Sequence, residues 1–390
     1  MIKYLISCML TLCIALAGKS QGTSGSVVGQ NASNGVILTA VPFLTISPDS
    51  RAAGMGDVGV ATSADANSSY WNPGKLVRIE KGGLGFSTSY TPWLARIIND
   101  MKLIYLTGFY RIDRNSVVSS SLKYFDMGNI QFNHGPSASQ QDGRYNPREY
   151  AFDVTYSRLL TENFSLGGSV RYIRSNLTGA NPNFADARPG NSVAVDMGVL
   201  YTKQLSSHNS TLSLGSAITN LGSKMTYTSP ANKDFIPTNL RLGGAFKTEL
   251  DPMNSLTFAL DFNKLMVPTK DSARRSQPLL TGAFGSFTDT NFAEELREIN
   301  IAGGMEYWYN NFFAARVGYH YEAYDKGNRK YLTAGLGFHY ESPQKDIFGL
   351  DMAYMIPTTI GQSALAETIR FTLFYVLPIK EVKQTESVTP

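Results

Sequence analysis

With 390 residues, 35 Lys+Arg against 31 Asp+Glu, and a formal charge of +4, the chain carries too little and too scattered a positive charge to argue for nucleic acid. Its two cysteines are Cys8 and Cys13, so the chain after them offers neither a disulfide nor a cysteine metal site. No stretch of eighteen consecutive apolar residues exists to form a transmembrane helix, while the aromatic content, with 21 Tyr, suits the girdles of a membrane–water interface.

Taken from the start, Lys3, the apolar stretch Tyr4 to Leu16 and the Ala15-Leu16-Ala17 step predict a secretory signal peptide over residues 1–17. Neither Cys8 nor Cys13 has the flank a lipid-anchored signal needs. An N-terminal extension, 18–42, leads into a segment at 43–81 that is too polar and too rich in Gly and Ala for a membrane strand. Gly54, Gly56 and Gly59 have the spacing of a dinucleotide fingerprint, but Pro48 and Asp49 precede them and no βαβ unit follows. Their simpler use is to let the backbone turn tightly in a packed plug. Trp71-Asn72-Pro73-Gly74 adds an Asn-Pro turn beside two aromatics.

From 82 to 378 the chain reads as fourteen alternating segments. Tyr150, Phe152, Val154 and Tyr156 alternate with Ala151, Asp153, Thr155 and Ser157, and Val193, Val195, Met197 and Val199 with Ala194, Asp196 and Gly198. The segments run to about ten residues, the length of a membrane strand. The polar register carries a charge near its middle in most of them: Lys123, Asp153, Arg171, Asp196, Arg241, Asp261, Glu306, Arg316, Asp351 and Arg370. On the lipid face such a charge costs about 2–4 kcal/mol for Arg or Lys, so this register faces a lumen. Connections alternate between short, near 113–116, 161–163, 205–209, 251–254, 310–311 and 342–346, and long, near 92–100, 128–149, 176–192, 221–238, 265–298, 323–329 and 357–366. The expected fold is therefore an all-β, 14-stranded antiparallel transmembrane β-barrel over 82–378, in a cell outer membrane, its long loops extracellular and both termini periplasmic. A periplasmic tail is expected at 379–390.

The 128–149 loop reads as irregular. The 265–298 loop, the longest, is predicted to hold one or two helical turns over Asn291 to Glu298, capped by Asp289 or Asn291. It also carries apolar Leu279, Leu280, Phe284, Phe287 and Phe292, candidates for a partner-binding surface. Of the four histidines, His134, His208, His320 and His339, the last two fall in adjacent segments on the lumen register with Glu322 and Glu341 nearby. The simpler reading is a polar lumen near the surface end. No catalytic, cofactor-binding or metal-ligating residue is singled out.

The run from Phe43 through Ser47-Pro48-Asp49-Ser50-Arg51, Gly54-Met55-Gly56-Asp57 and Ala61-Thr62-Ser63-Ala64-Asp65-Ala66 to Trp71-Asn72-Pro73 resembles the signature of the PorV family, outer-membrane proteins of the type IX secretion system in Bacteroidetes. A looser form of the same boxes occurs in the FadL family of fatty acid channels. The resemblance implies that 43–81 is a hatch in the barrel lumen, built on Arg51, Gly54, Gly56, Asp57, Trp71, Asn72 and Pro73. It also implies a non-enzymatic shuttle without cofactor, which takes secreted clients by their C-terminal signal domain from the translocon to the surface sortase and attachment complex. A channel for hydrophobic small molecules is the alternative. The two readings differ in what they ask of the lumen: a channel needs an apolar pocket with few polar groups.

Overall fold

The computed structural model describes residues 35–94, 100–133, 141–177, 188–206, 209–228, 233–269, 276–358 and 368–378. The expected signal peptide, most of the extension, the 379–390 tail, His134 and His208 lie outside these residues.

Long alternating segments form strands because one face has apolar side chains for lipid and the other polar ones for the interior. In chain order the strands are β1 (Leu84–Pro92), β2 (Lys102–Asp113), β3 (Ser116–Asp126), β4 (Ile130–Asn133), β5 (Gln141–Tyr145), β6 (Arg148–Leu159), β7 (Phe164–Asn176), β8 (Gly190–Leu205), β9 (Ser210–Gly222), β10 (Asn239–Asp251), β11 (Asn254–Leu265), β12 (Ile299–Tyr309), β13 (Phe313–Tyr321), β14 (Lys330–Glu341), β15 (Ile347–Pro357) and β16 (Ile369–Leu377). All but β4 and β5 join in one closed antiparallel barrel of fourteen strands, with β1 sealed to β16 from Leu84↔Leu377 to Tyr90↔Phe371. Closure leaves no open edge, so each strand is hydrogen-bonded to a neighbour on both sides within the wall. The 128–149 loop is not wholly irregular: β4 and β5 pair as a separate two-stranded sheet beyond the wall.

The two faces sort as the alternation requires. On β8, Val193, Val195, Met197, Val199 and Tyr201 are exposed on the outer wall, while Ala194 and Asp196 are buried. All ten charges of the polar register are buried inside. Asp153 lies opposite Arg171, and Glu306 opposite Arg316. An apolar wall around a polar interior, with short turns at one end and long loops at the other, is the architecture of an outer-membrane barrel. The even strand number brings the start of β1 and the end of β16 to the short-turn, periplasmic end; the long loops are extracellular.

Ahead of β1, residues 35–81 run through the barrel. They begin at the long-loop end, where Phe43 and Leu44 pack with Leu103, Phe125, Ile173 and Ile236. They finish near the short turns, where Leu76, Val77 and Ile79 pack with Phe109 and Val117. Along the way are a 3-10 turn Pro42–Thr45, one helical turn each at Ser50–Gly54 and Ser68–Trp71, and a 3-10 stretch Pro73–Arg78. None of these is long enough to stand alone; their stability comes from packing against the wall.

Candidate functional site

The inner segment is tied to itself and to the wall through polar side chains, several of which serve more than one group. Asp49 caps the Ser50–Gly54 turn by accepting from Ala52 N–H at 2.9 Å, and its other oxygen accepts from the Trp71 indole N–H at 2.7 Å. This joins the two signature boxes. Asn72 Oδ1 accepts from Gly74 N–H at 2.9 Å, fixing the turn into Pro73–Arg78, and its amide nitrogen donates to the carbonyls of Val60 and of Val199 on β8, at 3.1 and 2.9 Å. Pro73 fits the first position of that stretch because its missing N–H has no partner to lose there. Asp261 on β11 accepts from Gly59 and Val60 N–H at 2.7 and 2.9 Å. Arg241 on β10 lies over the Tyr70 and Trp71 rings at 4.8 and 5.1 Å.

Arg51 anchors a chain of alternating charges. Its guanidinium meets Asp65 at 3.0 Å and grips Glu306 on β12 with two bonds, 2.9 and 2.8 Å. Glu306 also accepts from Arg316 on β13 at 2.7 Å, and Arg316 reaches across β14 to Asp351 on β15 at 2.6 Å. The reach is open because β14 has Gly337 there; a Cβ would lie 2.8 Å from the guanidinium. Each charge in the chain has an opposite neighbour, the condition under which buried charges are tolerated. Gly54 and Gly56 seat the segment on β14 through the Thr333 hydroxyl, which donates to the Gly54 carbonyl and accepts from Gly56 N–H, at 3.0 and 2.8 Å. Asp57, at φ 67, accepts from the Tyr331 hydroxyl at 2.6 Å and from Arg370 at 3.2 Å.

Above this floor lies a cavity of about 520 Å³ lined by Val41, Phe43, Trp93, Phe125, Arg329 and Arg370, and beside it one of about 250 Å³ reaching Val36, Ile37, His320 and Glu322. The two histidines are not neighbours. His320 pairs with Tyr331 near the long loops, whereas His339 lies next to the short turn after β14, between the rings of Trp308 and Phe374. Antiparallel strands carry positions late in consecutive strands to opposite ends of the wall, so only His320 belongs to the surface end. Just beyond β13, burial pushes the Glu322 carboxyl up, but the doubly bonded Arg329 outweighs it and holds it below the usual range. Among the described residues no three His, Asp or Glu are grouped to hold a metal ion.

At the extracellular end, the 265–298 loop is built on two short helices. The second, Phe292–Arg297, has Asn291 as cap, its side chain accepting from Glu294 N–H at 3.0 Å. The first, Leu279–Gly285, was not foreseen: two glycines in seven residues give it little intrinsic propensity. It is fixed by burial of Gly282 and Ala283, with the Phe235 ring against Gly282. Lys264 at the end of β11 pairs with Glu295 and Glu298, at 2.8 and 2.5 Å, and Lys326 of the 323–329 loop also meets Glu298. Over this base Leu280, Phe284, Phe287 and Phe292 are exposed, Phe292 by 78%, with Leu296 and Tyr324 beside them; Leu279 is half-buried. The helices thus hold an apolar surface outward rather than folding it into the barrel.

A family model described as Type IX secretion system protein PorV matches residues 29–272. No curated protein matches the chain. Solved structures with a similar fold include the Ralstonia pickettii toluene transporter TbuX, 13% identical over 86% of this chain and 98% of that one with a TM-score of 0.45. The Pseudomonas putida toluene transporter TodX is 10% identical over 83% and 95%, TM-score 0.45. A Pseudomonas aeruginosa FadL homologue is 10% identical over 85% and 98%, also at 0.45.

Proposed function

Since the chain belongs to the PorV family of type IX secretion system proteins, we propose that it takes exported clients, by their C-terminal signal domain, from the translocon and hands them to the sortase and attachment complex at the cell surface. It is an outer-membrane component of that system, and its work is protein transport rather than catalysis. The observation that carries the reading, beyond family, is where apolar surface is left uncovered. The lumen is crossed by residues 43–81, which we take to be a hatch anchored by Arg51, Gly54, Gly56, Asp57, Trp71, Asn72 and Pro73. The extracellular helices instead present Leu280, Phe284, Phe287 and Phe292 on a fixed base. Exposed apolar groups rimmed by charge mark interaction surfaces, and a rigid scaffold concentrates binding on the loops it positions.

Deletion of Ser276 to Thr290 with the barrel ends retained tests this. The variant is expected to insert normally and to leave clients in the periplasm or unattached at the surface. Normal export and attachment by a correctly inserted variant contradicts it. A channel for hydrophobic small molecules is the second reading, favoured by the largely apolar 520 Å³ cavity. Against it stands the bonding of the segment below that cavity to β8, β11, β12 and β14.

A further inference from the structure

Residues 35–41, Gly-Val-Ile-Leu-Thr-Ala-Val, lie without regular structure across the lumen mouth. Val36, Ile37 and Thr39 line the 250 Å³ cavity and Ala40 and Val41 the 520 Å³ one, while Leu38 points outward, 65% exposed. Among the described residues, the one backbone hydrogen bond made by residues 35–40 runs from Ala40 N–H to the Phe235 carbonyl, 2.9 Å. Phe235 continues a short ladder in which Met225 and Asp234 exchange bonds of 2.9 and 2.8 Å. The loop edge is therefore a template to which an extended peptide adds by its main chain, with a largely apolar hollow beside Ala40 and Val41 and a hollow lined by Asp57, Glu322 and Arg329 beside Val36, Ile37 and Thr39. From Leu44 onward the hold changes. The Leu44 and Ile46 carbonyls accept from the Tyr70 hydroxyl, 3.1 and 3.0 Å, and from the Lys123 ammonium. Between the two parts sits Val41, buried with Ala40 in the apolar cluster that also holds Phe43 and Leu44, yet in the left-handed region, φ 49 and ψ 53, a conformation costly for a β-branched residue.

We infer that residues 35–41 are an autoinhibitory strap: they fill a peptide-binding groove at the lumen mouth, and an extended apolar peptide segment of an arriving client displaces them and pairs with the Phe235 edge. Strain at Val41 favours release, and the clamp at Leu44 keeps the rest of the inner segment in place. The identity of the incoming peptide as a client rests on the proposed secretion role; the groove itself does not.

The test uses the full-length barrel in nanodiscs and a fluorescent synthetic peptide with the sequence of residues 36–41. Saturating peptide is expected to raise exchange of the Ala40 amide while the Leu44 and Ile46 amides stay protected. A control peptide with proline at the position of Ala40 lacks the donor and is expected not to bind. In the protein, Ala40→Pro removes the strap's own bond, and peptide should bind about fivefold tighter, the factor for one hydrogen bond. Folding of the variant is checked by heat-modifiable gel mobility. Unchanged exchange of the Ala40 amide, equal binding of the proline control, or no tighter binding to the Ala40→Pro protein overturns the inference. These readouts involve no export, so the groove can fail while the secretion role stands, or the reverse.

Discussion

Asn72 is the residue on which the inner segment turns. It is fully buried, and its amide serves Gly74, Val60 and Val199 together, so an apolar replacement leaves buried groups unsatisfied at about 1–3 kcal/mol. Trp71 has both a packing and a polar duty, through Tyr70 and Asp49. Trp71→Ala is expected to cost on the order of 3–5 kcal/mol and to raise amide exchange across 43–81 while client binding at the surface persists. Intact protection of 43–81 with loss of client binding contradicts a packing role. The glycine and Asn-Pro boxes were legible in the sequence because turn chemistry is local. The Arg51–Glu306–Arg316–Asp351 chain was only half legible. That the charges face inward follows from the alternation, but which of them meet depends on registers across β12 to β15 and on a gap at Gly337.

Among elements, Gly56 shows how closely the inner segment lies to the wall. Its φ is +77, and a Cβ there would stand 2.6 Å from Tyr319 N on β13. Gly56→Ala is therefore expected to destabilise by about 1–3 kcal/mol, read as a lower thermal midpoint and earlier proteolysis of the inner segment; an unchanged midpoint contradicts the close seat. In the surface helices, burial together with Glu295 and Glu298 pushes the Asp289 carboxyl above its ordinary value. A raised carboxyl favours the folded hairpin when protonated, so that contribution is present at low pH and lost as pH rises through the raised value. Asp289→Asn keeps an acceptor for Thr269 N–H and removes the like charge. It is expected to increase exchange protection of 276–298 about twofold at neutral pH and to flatten its pH dependence; lower protection contradicts this. The Phe292–Arg297 helix was readable because Asn291 and the acids after it form a local start signal. The Leu279–Gly285 helix and the β4–β5 hairpin were not, since tertiary contacts and pairing override weak local preference there.

For the whole molecule, the strand count and the inward face of most strands were readable because lipid outside and polar lumen inside impose a period of two for hundreds of residues. The path of residues 35–81 from the extracellular to the periplasmic end was not, as nothing in a polar Gly-rich segment encodes direction through a lumen. The topology predicts that cysteine introduced at Ser276 is labelled by an impermeant reagent on intact cells and that cysteine at Asn310 is not; Gln140, outside the described residues, is expected to be labelled as well. Labelling at Asn310 alone would invert the barrel. The central claim, a secretion component working through its extracellular face, is tested most directly by a photo-crosslinking residue at Phe292, followed by purification from the native outer membrane. The account predicts crosslinks to type IX translocon or attachment components and to client C-terminal domains, lost on deletion of Ser276 to Thr290. Crosslinks to lipid alone, together with uptake of hydrophobic compounds by liposomes carrying the purified barrel, would contradict it.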